Sequence, residues 1–157
     1  MSTQNEEIVK RFYREVIGQG RMEVVDKLFG VDYLEHQDLD RDRPGLAAAK
    51  AWFEAIEHAF PNRMVVLEDL ITQADLVVAR WSLAASHTRP LLGMSPTGRT
   101  VELSGTSVFR LALGKIVEGW NVADSQVLML QLRLDQQPAP HSRPWRPAGT
   151  LVACAVC

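Results

Sequence analysis

The chain has 157 residues, within the ~100–200 residues typical of one domain. Hydrophobic residues make up 46% and charged residues 23%, the composition of a folded globular protein rather than a disordered one. A formal net charge of −2 and a pI of about 6.1 argue against a nucleic-acid binder, and no apolar run approaches the ~18 residues of a membrane span. The charged start MSTQNEEIVKRFYREV has no uninterrupted apolar core and so is not a secretory signal; a soluble cytoplasmic protein is expected.

Thr3 and Glu6 stand at capping-box spacing. Ile8, Phe12 and Val16, with Val9, Tyr13 and Ile17 beside them, predict an amphipathic helix that Gly18 and Gly20 end. A short second helix is predicted over 21–29, burying Met22, Val25 and Phe29. Residues 32–36 read as extended, and 37–43 as a charged loop. Pro44 opens a third helix with Ala49, Trp52, Phe53, Ile56 and Phe60 on one face, and Pro61 ends it.

After Pro61 the apolar period changes from 3.6 to 2. Strands are predicted over 64–71, 76–87, 100–112 and 115–122, with Leu113-Gly114 as a tight hairpin turn. Residues 127–132 form a short helix or strand. From Gln136 the prolines crowd into PAPHSRPWRP, the composition of an extended or disordered tail. The expected organisation is one domain over 1–135 and a tail over 136–157. Helices first and antiparallel strands after imply an α+β fold: three N-terminal helices packed on a curved, mostly antiparallel sheet, with a cone-shaped pocket between them.

Strand alternation predicts which side chains face that pocket. Val101, Leu103, Gly105, Ser107, Phe109 and Leu111 share one face of their strand; Val77, Ala79, Trp81, Leu83, Ala85 and His87 share one face of theirs. On 115–122 the choice is open: Val117, Gly119 and Asn121 share one face, Glu118 and Trp120 the other. His87 is expected at the pocket mouth, or else bonded to backbone at a strand-to-loop corner. Tyr33 and His36 precede the charged loop and are candidate binding residues. Trp52, Trp81 and Trp120 would supply flat apolar walls, or simply pack in the core. Asp124 either points back inward or caps the segment that follows.

Other patterns carry less. Asp38, Asp40 and Asp42 alternate like a calcium loop but lack the central glycine and distal glutamate. Cys154 and Cys157 form a CxxC with only His141 nearby, short of the usual four ligands and outside any βαβ unit. No metal site is expected. There is no G-x-S-x-G, H-E-x-x-H, P-loop or G-x-G-x-x-G, so no nucleotide or nicotinamide cofactor is expected.

Several segments in order resemble the SnoaL-like polyketide cyclases of the nuclear transport factor 2-like superfamily: IVKRFYREV, VDKLF, DYLEHQ, AWFEAIEHAFPN, VVARWSLAASHT, LLGMSPTGRTVELSGTSVFRL and GKIVEGWNVADS. The most specific pieces are GMSPTGR and GKIVEGW. The resemblance implies helices on a curved sheet, a homodimer across the sheet's outer face, and a cofactor-free enzyme or binding module for hydrophobic small molecules. It also places Asn121 inward, with Gly119 leaving room for a ligand. In the best-understood members an aspartate on the last strand and a histidine on its neighbour serve an aldol ring closure. The matching positions here are Asn121 and Ser107. Neither asparagine nor an isolated serine can act as the proton carrier.

The reading from sequence is therefore a cofactor-independent cyclase or isomerase of a hydrophobic, polyketide-like small molecule. The pocket would template the ring closure, and Asn121, Ser107 and His87 would orient or polarise a carbonyl, with Tyr33, His36, Trp52, Trp81, Phe109, Gly119 and Trp120 around the substrate. A hydratase, hydroxylase or epoxide-opening enzyme using Asp124 or His36 as base is the first alternative. A dimeric, non-catalytic ligand-binding module is the second.

Overall fold

The computed structural model describes residues 2–36, 43–91 and 93–133. Asp38, Asp40, Asp42, His141, Cys154, Cys157 and the Pro-rich segment lie outside the described residues. Helix α1, Ser2–Arg11, runs on into a π-helical stretch, Phe12–Gly18. The wider π turn buries the adjacent pairs Phe12–Tyr13 and Glu15–Val16. The expected second helix is shorter than 21–29. A 3-10 turn at Met22–Val24 leads into α2, Val25–Leu28, and Phe29 already belongs to strand β1, Phe29–His36. The reason is pairing: Phe29 lies opposite Ile116 in a parallel ladder.

Pro44 does not open a helix. It sits in the two-residue strand β2, Arg43–Pro44, opposite Leu34, and α3, Leu46–Ala59, begins after Gly45. Gly45 has a φ of 93°, a conformation open to glycine and strained for other residues. The remaining strands are β3 (Arg63–Gln73), β4 (Leu76–Ser86), β5 (Thr100–Ala112) and β6 (Lys115–Ala123). Helix α4, Ser125–Arg133, follows. The sheet order is β2-β1-β6-β5-β4-β3, antiparallel throughout except for β1 against β6. At the β5–β6 hairpin both Leu113 and Gly114 have positive φ, as a type I′ turn requires.

The inner sheet face is the one alternation predicts on β4 and β5. Val77, Ala79, Phe109 and Leu111 are buried against Val9, Phe12, Tyr13 and Val16 of the first helical segment and Phe53 of α3. Alternation fails on β6, where a bulge between Arg110 and Leu111 resets the register and turns Ile116 inward opposite Leu111. A second apolar cluster gathers Ala59, Phe60, Ala85, Leu91 and Val101 under Leu132 of α4. The Gln131 side chain accepts from the Glu102 N–H at 2.8 Å and donates to the Glu102 carbonyl at 2.9 Å. It thereby completes the part of β5 that lies beyond its pairing with β6.

Packed aromatic rings occupy the space between helices and sheet, with Phe12 within 5.1–5.6 Å of Tyr13, Phe29, Phe53 and Phe109 by ring centroid. An open cleft of about 450 Å3 lies between the first helical segment and β3, lined by Tyr13, Arg63, Val65 and Leu67, and another of about 490 Å3 lies over β3, β4 and β5, lined by Met64, Val66, Ser82, Glu102 and Ser104.

Candidate functional site

A polar patch sits inside this apolar wall. Ser107 is 1% exposed. Its Oγ accepts the Tyr13 hydroxyl at 2.8 Å and the Trp81 indole N–H at 3.0 Å. A serine hydroxyl has two acceptor lone pairs and one proton; both contacts use lone pairs, so the Ser107 proton is the donor left to the hub. Burial raises the Tyr13 pKa well above the ordinary tyrosine value, which keeps the phenol a donor. The π-helical stretch brings Tyr13 inward, and Gly105 lets the Trp81 ring cross the sheet. A Cβ at Gly105 would collide with that ring.

Ser107 lies directly opposite Asn121 in the β5–β6 ladder. On one face, such opposed residues have Cβ atoms ~4.5–5.5 Å apart. The Asn121 Nδ2 donates to Glu35 Oε1 at 2.6 Å, and the Tyr33 hydroxyl donates to Glu35 Oε2 at 3.0 Å. Glu35 is 8% exposed. Burial and then the Glu35 charge push the Tyr33 pKa up, so this phenol too stays protonated and donating. Five side chains from four segments thus form one patch: Tyr13 from the helix, Tyr33 and Glu35 from β1, Ser107 from β5 and Asn121 from β6.

The structure brings together Tyr33, Trp81, Ser107, Phe109, Gly119 and Asn121. Phe109 is buried opposite Gly119. The room above Gly119 is filled by the Tyr33 hydroxyl, which a Cβ there would strike.

The other expected site residues lie elsewhere. His87 bonds backbone to Arg99, eight residues along β5 from Ser107, or about 26 Å at ~3.3 Å per residue. It is fully buried beside Phe60 and takes the Thr97 N–H on Nδ1 at 3.3 Å. Alternation fixed its face but not its height, and α4 closes that end. Asp124 is exposed and accepts the Val127 N–H at 2.9 Å, the N-cap of α4. His36 and Trp120 stack on each other at 4.6 Å and 8° on the outer sheet face. There the His36 Nε2 lies 3.4 Å from Glu118, and the Arg110 guanidinium sits 5.8 Å from the Trp120 ring. Trp52 remains 38% exposed on α3.

Sequence reasoning missed Glu35 and Tyr13. Both left a signal. Glu35 shares strand parity with Tyr33, and Tyr13 is a hydroxyl-bearing ring in an apolar stripe, where a buried tyrosine needs a partner.

Residues 7–132 match the family model for the SnoaL-like polyketide cyclases. No curated protein sequence matches the chain. Among solved structures, a candidate SnoaL-like polyketide cyclase from Jannaschia sp. CCS1 is similar at 26% identity and a TM-score of 0.79, over 86% of this chain and 95% of that one. A candidate polyketide cyclase from Acidithiobacillus ferrooxidans is 28% identical with a TM-score of 0.75, over 85% and 96%. AclR from Streptomyces galilaeus, a candidate hydroxylase, shares the fold at 21% identity and a TM-score of 0.78, over 88% and 87%.

Proposed function

Because the chain belongs to the SnoaL-like polyketide cyclase family, we propose that it is a cofactor-independent cyclase or isomerase of a hydrophobic, polyketide-like small molecule. The observation that carries this reading is the Ser107 hub. Its hydroxyl is held by Tyr13 and Trp81 with its own proton left to donate, so it is preorganised to polarise a substrate carbonyl in apolar surroundings. Trp81, half-buried on the same face, offers flat contact to a fused-ring or polyene chain. Folding a flexible chain so that its reacting atoms meet contributes up to ~7–11 kcal/mol in well-oriented intramolecular reactions.

The assembly we propose is a homodimer across the outer sheet face. Met64, Val66, Ile71 and Val122 are exposed there, large apolar side chains that a partner's sheet face would cover.

The test is ring closure of aromatic β-keto esters, followed by absorbance with dialysed, chelator-treated protein. Turnover is expected under those conditions, and Ser107→Ala is expected to slow it. Losing one buried hydrogen bond costs ~1–3 kcal/mol, roughly 5- to 150-fold in rate if the bond acts in the transition state. Turnover that returns only with added metal or flavin, or that ignores Ser107→Ala, would count against the reading.

A further inference from the structure

Among the described residues two carboxylates are nearly buried, and they are held differently. Glu15 is 8% exposed and ringed by guanidinium groups: Arg11 at 2.8 Å, Arg14 at 3.3 Å and Arg21 at 3.3 Å. The hydrogen bond from Arg11 leads in holding its carboxyl below the usual carboxylate range. Glu35 is equally buried and lies opposite Arg43 in the β1–β2 ladder. The hydrogen bonds to its carboxylate come from an amide and a phenol, Asn121 and Tyr33. Burying a carboxylate is costly unless its oxygens are bonded, and these two donors hold it on the sheet face that carries Ser107.

The two neutral donors fix the carboxylate plane without neutralising it. Each takes one lone pair of a different oxygen, and a carboxylate has about four such sites, so a lone pair on each oxygen remains for a substrate. Glu35 lies opposite Gly119 in the ladder, and Asn121 stands between it and Ser107. A proton acceptor and a carbonyl-polarising hydroxyl therefore flank one asparagine.

We propose that Glu35 is the proton-transfer residue of this site and that Asn121 is its positioning residue; this rests on the small-molecule reading above. Glu35 takes a proton from the carbon next to a substrate carbonyl. The C–H electron pair moves into a carbon–carbon double bond, and the carbonyl oxygen becomes an enolate stabilised by the Ser107 O–H. In a ring closure the enolate carbon attacks a second carbonyl of the same molecule. One carbon–carbon bond forms, and Glu35 returns the proton to the new alkoxide. In an isomerisation the proton returns to a different carbon. Neither course needs an oxidant or a second reactant. The asparagine at position 121 is then no defect: the carboxylate has moved to β1, and β6 supplies the donor that holds it.

The probe is 1-tetralone, a flat ketone with exchangeable α protons. Its α-proton signal is followed by NMR in D2O, and its binding by saturation transfer. The parent protein is expected to speed exchange above buffer. Glu35→Gln should bind tetralone and lose exchange on the order of 10²–10⁴-fold, the usual scale of general acid–base catalysis. Asn121→Ala should lower kcat for exchange and leave KM in place. Circular dichroism checks folding; should Glu35→Gln not fold, Glu35→Asp keeps a carboxylate set back by one methylene and should show intermediate exchange. Exchange unchanged in a folded Glu35→Gln or Glu35→Asp protein overturns the proposal and leaves the small-molecule reading standing. Bound tetralone without exchange in the parent also overturns it. Absence of tetralone binding to the parent removes both.

Discussion

Replacing Asn121 by aspartate will weaken the protein as pH rises and lower its turnover at neutral pH. The change restores the residue type that the resemblance associates with catalysis at this position, yet no gain is expected from it. The Asn121 side chain is 2.6 Å from Glu35, and a second carboxylate there makes a like-charged pair that cannot both ionise. The folded variant will hold one proton between the two groups, while in the unfolded chain an aspartate loses its proton near its ordinary pKa of ~3.9. The folded state then binds more protons, so stability falls with rising pH. Each unit by which the aspartate is raised above its unfolded value is worth ~1.4 kcal/mol of that loss. Urea unfolding of both proteins at pH 4 and pH 7 measures it. The shared proton also occupies the proposed base, so tetralone exchange should drop at pH 7. A pH-independent stability difference with faster exchange would mean that β6 is the strand on which the site uses a carboxylate.

The second large effect is expected at Gly105. A Cβ there would strike the Trp81 ring and come within 2.7 Å of the Val122 carbonyl oxygen. The ring could swing aside, but the backbone on the other side cannot, and Trp81 would leave Ser107. Overpacking of this kind costs ~1–3 kcal/mol. Gly105→Ala should sit at the upper end, seen as a lower urea midpoint with unchanged slope, and should lose tetralone exchange in parallel. Gly30→Ala is the control. Its added Cβ meets Val117 only at 3.4 Å, ordinary contact, and should change stability by at most a few tenths of a kcal/mol, in the sense of fewer unfolded states. Equal effects at the two glycines would contradict the packing argument.

Much of the scaffold was legible because strand alternation and helix amphipathicity are local properties. The strand predicted over 100–112 has those bounds in the structure, and Leu113-Gly114 is the turn. What failed was decided by distant partners. Phe29 reads as the end of a helix, but Ile116 draws it into β1. Pro44 reads as a helix start, yet the chain first pairs with Leu34. On β6 the open choice between faces was closed by a bulge, which reset the alternation below Gly119. Within the site, parity put Ser107, Trp81 and Phe109 on the inner face, but parity carries no height, so His87 was grouped with residues eight positions along the ladder. Asp124 offered two roles, and the helix it caps took it. Glu35 was hidden by its neighbourhood: followed by a histidine and a run of alternating charges, it reads as the start of a solvated loop. Only its parity with Tyr33 said otherwise.

The substrate's reacting carbonyl is expected to meet the protein between Ser107 and Glu35, on the inner sheet face. A crystal of the protein soaked with 1-tetralone tests it most directly. The ketone oxygen is expected within hydrogen-bond distance of Ser107 Oγ and the adjacent carbon facing the Glu35 carboxylate, with Tyr33 moved from its place above Gly119. Tetralone seated instead on the outer face against Trp120 and His36, with the Glu35–Asn121 contact undisturbed, would contradict it.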